Sequence, residues 1–197
     1  MELFFIRHGE TEYNRQQKYC GSSDVSINET GIAQALELKK GIPELTADVF
    51  FCSPYLRAQE TAEIIFPGQK FISEPALREL NFGEWEGLNF NQIMGSYGEL
   101  YDNWLASPAY YSPPGGESWL DFENRVRGFI THLLATYVDK RVVSVCHGGV
   151  IKLIVCLLLE KEITEFWNIP VDSATLTYFN LDNAKVVSYE LNTRKML

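Results

Sequence analysis

Two of the three histidines in this chain stand in the same local setting. His8 closes an apolar run, in "LFFIRHGE", between Arg7 and Gly9, and His147 closes "RVVSVC" just before Gly148 and Gly149. A third apolar run leads into "CSPYLRAQ", which carries Arg57. A neutral imidazole can attack phosphorus and hold it as phosphohistidine. Guanidinium forks match the oxygens of a phosphate dianion. Cations beside a histidine disfavour its imidazolium form and keep a nucleophile unprotonated at neutral pH. A second histidine can donate to the transferring oxygens, where charge develops. The leaving oxygen still needs a proton, and "EPALRELNFGEWEGL" offers Glu79, Glu84 and Glu86. His8 alone reads as a structural, hydrogen-bonded histidine; with Arg7, Arg57 and His147 around one cleft, the set suits a phosphate dianion. His132, in "FITHLLATY", is expected on a helix surface with no such role.

These residues need elements that hold them at strand ends. Runs rich in Val, Phe, Ile and Thr predict strands at Glu2–Ile6, Asp48–Cys52, Arg141–Cys146, Ala174–Asn180 and Lys185–Glu190, with a weaker one near Lys70–Ser73. Helical spacing follows Asn28, a candidate cap, and Ser118, which opens a helix bearing Phe122, Val126, Phe129, Ile130 and Leu133 on one face. Ser53 and Pro54 read as the N-cap and first position of a further helix. "GGVIKLIVCLLLE" is apolar nearly all round and predicts a buried helix.

Strands alternating with helices imply an α/β three-layer sandwich, with a mainly parallel sheet covered on both faces. The last two strands, joined by "LDNA", predict one antiparallel edge. In such sheets ligands bind beyond the carboxyl ends of the strands, where His8 and His147 fall. Glycine after each histidine lets the chain turn and a ligand approach. The expectation is a single domain over 1–197, with an excursion at about 89–116 passing over the active site. That excursion, rich in Tyr, Trp, Gly and Pro, predicts short helical pieces at best. Its aromatics suit a planar or apolar leaving group. Arg78 and Arg125 bracket a stretch without Lys or Arg, which argues against a second phosphate there.

Bulk composition narrows the class. The 197 residues suit one domain, and 46% hydrophobic with 22% charged residues is ordinary for a globular protein. A net charge of -9 argues against nucleic acid or anionic membrane as partner. Cys20, Cys52, Cys146 and Cys156 show neither zinc spacing nor a disulfide framework. The start "MELFFIRHGE" lacks the build of a signal peptide, so a cytoplasmic location is expected. No metal site and no cofactor are expected; the partner is a small phosphorylated metabolite.

"FIRHGET" followed by Asn14, "SPYLRAQETA", "LRELNFGEWEG", "PGGES" and "VCHGGVI" run in order from Leu3 to Ile151. Together they resemble the histidine phosphatase superfamily, the phosphoglycerate-mutase-like fold. The resemblance implies His8 as the phosphorylated nucleophile, with Arg7, Arg57 and His147 completing the phosphate pocket and Glu79 donating the proton. It implies substrate contacts from Asn14, Gly21 and the backbone of Gly148. Cys20 replaces a small hydroxyl residue usual before that glycine, and a thiol is a poor donor. Mutases of the family tend to be longer and to carry H-G-N, whereas this chain reads H-G-G, which favours a phosphatase. "EFWNIPVDSATLTYFNL" is similar to the branch holding alpha-ribazole phosphatases. A broad-specificity phosphatase, a phosphoglycerate mutase and a non-catalytic phospho-ligand binder are the alternatives.

Overall fold

The computed structural model describes residues 1–195. Strand β1 (Glu2–Arg7) is followed by a one-turn helix α1 (Glu12–Arg15) and by α2 (Glu29–Gly41). Then come β2 (Val49–Cys52), α3 (Leu56–Ile65) and the short β3 (Ile72–Ser73). Helices α4 (Phe90–Ala106) and α5 (Trp119–Thr136) precede β4 (Arg141–Cys146) and α6 (Gly148–Leu158). The chain closes with β5 (Leu176–Asp182) and β6 (Lys185–Thr193).

The six strands form one sheet in the order β3-β2-β4-β1-β5-β6. β1, β2, β3 and β4 run parallel, while β5 and β6 form the antiparallel edge. Asn183 and Ala184 turn the last hairpin with φ of 47° and 62°, the left-handed pair that a tight two-residue hairpin requires. Alternation along β1 splits the core between the two faces. Leu3 and Phe5 pack with α5 and α6, while Phe4 and Ile6 pack with α2 and α3. That is the period-2 consequence of a strand buried on both sides. The three-layer α/β architecture is as expected. Among the described residues no helix is long and apolar enough to cross a membrane.

Three local expectations need correction. The excursion holds more helix than expected: α4 covers the 17 residues Phe90–Ala106 as two helical stretches meeting at a kink, and the Asn89 side chain closes a capping box with Gln92. Ile93, Tyr101 and Trp104 bury its inner face, and Tyr97 breaks the regular geometry midway. Nor does Ser53 cap α3, which starts at Leu56 and takes its capping acceptor from Asp24 Oδ1, 2.7 Å from the Leu56 N–H. Gly9 answers to packing: a Cβ there would lie 2.5 Å from the carbonyl oxygen of Gly31 at the start of α2. Any side chain would therefore push α2 away from the loop that carries His8.

Candidate active site

β1 and β4 are parallel neighbours in register, with Arg7 opposite Cys146. The His8 N–H donates to the Cys146 carbonyl at 3.0 Å, so the two strands run out at the same level. That register brings the imidazoles of His8 and His147 together, their ring centroids 5.2 Å apart. His8 is 4% exposed. Its Nδ1 lies 2.7 Å from the carbonyl oxygen of Gly9. A carbonyl only accepts, so the proton sits on Nδ1 and Nε2 keeps its lone pair. Burial, then Arg7 and Arg57, hold the His8 pKa well below the ordinary value. The ring is therefore a neutral base with one defined nucleophilic nitrogen.

Arg57 and His147 are fully buried. The Arg57 side chain donates to Nδ1 of His147 at 3.2 Å, to the Ser23 carbonyl at 2.7 Å and to the Gly21 carbonyl at 2.7 Å. Its guanidinium also lies over the Tyr55 ring. Thr61, one turn further along α3, accepts from the Gly9 N–H and donates to the Arg57 carbonyl. One hydroxyl thus ties the His8 loop to the helix that carries Arg57. His147 Nε2 lies 2.7 Å from Ser53 Oγ. Burial, followed by Arg57, His8 and Arg7, keeps the His147 pKa well below the ordinary value. Arg7 reaches the Val171 carbonyl through Nη1 at 2.6 Å, while its buried Nε has no protein partner. An unpartnered buried donor beside two neutral imidazoles and a second guanidinium suits an oxyanion.

Glu79 accepts from the Gly149 N–H at 2.9 Å and from its neighbour Leu80 at 3.0 Å. Gly149 is required by this approach, because a Cβ there would meet Glu79 Oε1 at 2.4 Å. Gly148, the first residue of α6, has a backbone N–H without an intrahelical acceptor. Arg125 fixes the loop behind Glu79, donating to the carbonyls of Ala76, Arg78 and Glu79 while paired with Glu117. Beyond Arg7 and Glu79 opens a cavity of about 500 Å³ whose far wall includes Lys152, Phe166, Trp167 and Asp172. Its lining takes no residue from the 89–116 excursion.

The expected residues Arg7, His8, Arg57, Glu79, His147 and Gly148 gather around one end of the sheet. Gly21 joins them through its carbonyl; its N–H donates to Glu86 instead of facing the cleft. Asn14 uses its carboxamide oxygen in a capping box with Thr11, and among the described residues it makes no hydrogen bond to the others. Sequence reasoning missed Ser53, Thr61, Arg125 and Lys152. Glu86, a candidate proton donor in the sequence, has a different task. Glu86 instead gathers the backbone N–H groups of Gly21, Ser22, Ser23 and Phe82. Burial alone would raise its pKa, but hydrogen bonds from Ser23, Ser22, Phe82 and Gly21 outweigh that and lower it. The sequence carries no signal for this, because the three converging N–H groups of residues 21–23 form a nest only in the folded loop.

The histidine phosphatase superfamily (branch 1) matches residues 3–194. The chain belongs to the histidine phosphatase superfamily. Phosphoserine phosphatase 1 of Hydrogenobacter thermophilus is 30% identical over 98% of this chain and 92% of that relative. The adenosylcobalamin/alpha-ribazole phosphatase of Escherichia coli is 29% identical over 98% of this chain and 97% of its own length. The crystal structure of the alpha-ribazole phosphatase from Shigella flexneri superposes with a TM-score of 0.90 at 29% identity, covering 100% of this chain and 98% of that one. This histidine phosphatase is thus a phosphatase by family, with the fold and strand-end residues that its sequence announced.

Proposed function

We propose that the protein is a metal-independent phosphomonoesterase of small metabolites that works through a phosphohistidine at His8. The observation that carries this reading is the 2.7 Å contact from His8 Nδ1 to the Gly9 carbonyl. It leaves Nε2 unprotonated in a pocket with two buried guanidinium groups. In the first step Nε2 of His8 forms a bond to phosphorus as the ester P–O bond breaks. The leaving alcohol oxygen takes a proton from the Glu79 carboxyl. Water then attacks the phosphohistidine, returns a proton to Glu79, and inorganic phosphate departs. Arg7 and Arg57 stabilise the charge on the transferring oxygens, and His147, held between Arg57 and Ser53, positions Arg57. Arginines can supply the charge that a metal would otherwise bring.

Relatives of comparable identity are named for phosphoserine and for alpha-ribazole phosphate. The shared requirement is a small monoester whose alcohol fits beyond Glu79. Hydrolysis of p-nitrophenyl phosphate with and without EDTA tests the reading. Turnover that is equal in both is the expected result. No turnover, or a rate lost in EDTA and restored by a divalent ion, contradicts it.

A further inference from the structure

The cavity beyond Glu79 holds a cation that the catalytic scheme does not use. Lys152 lies four residues after Gly148 on α6, so both present the same helix face. The helix thereby sets a backbone N–H without an intrahelical acceptor at its first turn and an ammonium one turn further along. Lys152 is half-buried, and its Nζ reaches the Trp167 carbonyl at 3.3 Å. It also lies 5.7 Å from the centroid of the Phe166 ring. Among the described residues it has no carboxylate within ion-pair distance, whereas Lys161 is paired with Glu165. Burial and the neighbouring Arg7 lower its pKa. A half-buried ammonium with no carboxylate in direct contact gains from a ligand that brings one within hydrogen-bond reach.

We infer that Lys152 recognises an anionic group on the leaving alcohol, so that preferred substrates are phosphomonoesters of small carboxylate-bearing alcohols. This rests on the phosphomonoesterase reading above. The sequence pointed to a planar or apolar leaving group, on the aromatics of the excursion and the absence of Lys and Arg between Arg78 and Arg125. The cavity draws its cation from α6 instead, and its lining is not the excursion. The charge balance selects a carboxylate over a second phosphate. One ammonium matches one negative charge, while Glu79 and Asp172 on the same cavity oppose a further dianion. Asp172 is exposed, and one of its oxygens accepts from Asn192 at 3.0 Å. It is placed to tolerate an ammonium on the same alcohol. Phe166 and Trp167 supply walls for a short carbon skeleton.

O-phospho-L-serine and O-phosphoethanolamine differ by the carboxylate alone, and both carry the ammonium. Their kcat/KM ratio therefore reads the Lys152 contact. The unmutated protein should favour phosphoserine by about 10- to 100-fold, the scale of one charge-assisted hydrogen bond. In Lys152→Met the ratio should fall to near one, through KM for phosphoserine, and Lys152→Arg should keep the preference. Lys152→Gln serves if Lys152→Met does not fold. Equal use of the two esters by the unmutated protein overturns the inference, as does a preference that survives loss of the ammonium. Hydrolysis of p-nitrophenyl phosphate separates the two levels. If the unmutated chain cleaves it but shows no carboxylate preference, only the Lys152 assignment fails. If it cleaves no ester at all, the phosphomonoesterase reading fails and takes this inference with it.

Discussion

The Nε of Arg57 lies 3.2 Å from Nδ1 of His147, and this contact decides which nitrogen of His147 holds the proton. A guanidinium only donates, so Nδ1 accepts and the proton resides on Nε2, where Ser53 Oγ receives it at 2.7 Å. Ser53→Ala leaves a buried N–H without an acceptor. Turnover should fall roughly 10-fold with KM little changed, from one lost hydrogen bond behind the ring that positions Arg57. A steady-state comparison with the unmutated protein checks this. An unchanged kcat would mean that the Arg57 contact alone holds the ring.

Glu79 is held by the Gly149 and Leu80 N–H groups at the mouth of the leaving-group cavity. Glu79→Gln should slow alkyl phosphates by about 10²–10⁴-fold while affecting p-nitrophenyl phosphate far less, because a nitrophenolate scarcely needs a proton. Equal losses on both ester types would assign Glu79 to the scaffold and reopen the choice of acid.

α4 and the segment around Trp167 should separate stability from selectivity. Ile93 is fully buried on α4, and Ile93→Ala should cost about 2–5 kcal/mol in urea unfolding while leaving the ranking of substrates intact. Trp167→Ala removes a cavity wall and should change that ranking. A substrate ranking altered by Ile93→Ala in folded protein would return the excursion to the active site.

The strand-end residues were legible because their signals are local: an apolar run, a charged or titratable pair, then glycine. Ser53 was misread for the same reason. Ser-Pro before a helical pattern is a good local cap signal, but the hydroxyl is spent on His147, on another strand, and Asp24 supplies the cap. Lys152 was hidden by its setting, a single cation in an otherwise apolar helix, whose meaning depends on which wall it faces. In α4, Gly95, Gly98 and the kink at Tyr97 masked the spacing of Ile93, Tyr101 and Trp104 along one face. Tertiary burial, more than helix propensity, stabilises that helix.

Stability should also depend on the two imidazoles. Both folded pKa values are depressed, whereas an unfolded histidine titrates near 6.5. Below about pH 6.5 the unfolded chain binds more protons, so the stability present above that pH is lost as pH falls toward the folded values. The slope reaches at most about 1.4 kcal/mol per pH unit for each histidine. Urea midpoints at pH 7.5, 6.0 and 5.0 should fall more steeply for the unmutated protein than for the His8→Asn, His147→Asn double variant. Parallel slopes would place the acid sensitivity elsewhere.

The central claim is that Nε2 of His8 carries the phosphoryl group, and trapping with ³²P-labelled substrate tests it most directly. Rapid quenching in base should recover label on the unmutated protein as an acid-labile, base-stable adduct. Peptide mapping should place it at His8. His8→Ala should take up no label and lose turnover. Label on a histidine of the His8→Ala protein would contradict the account.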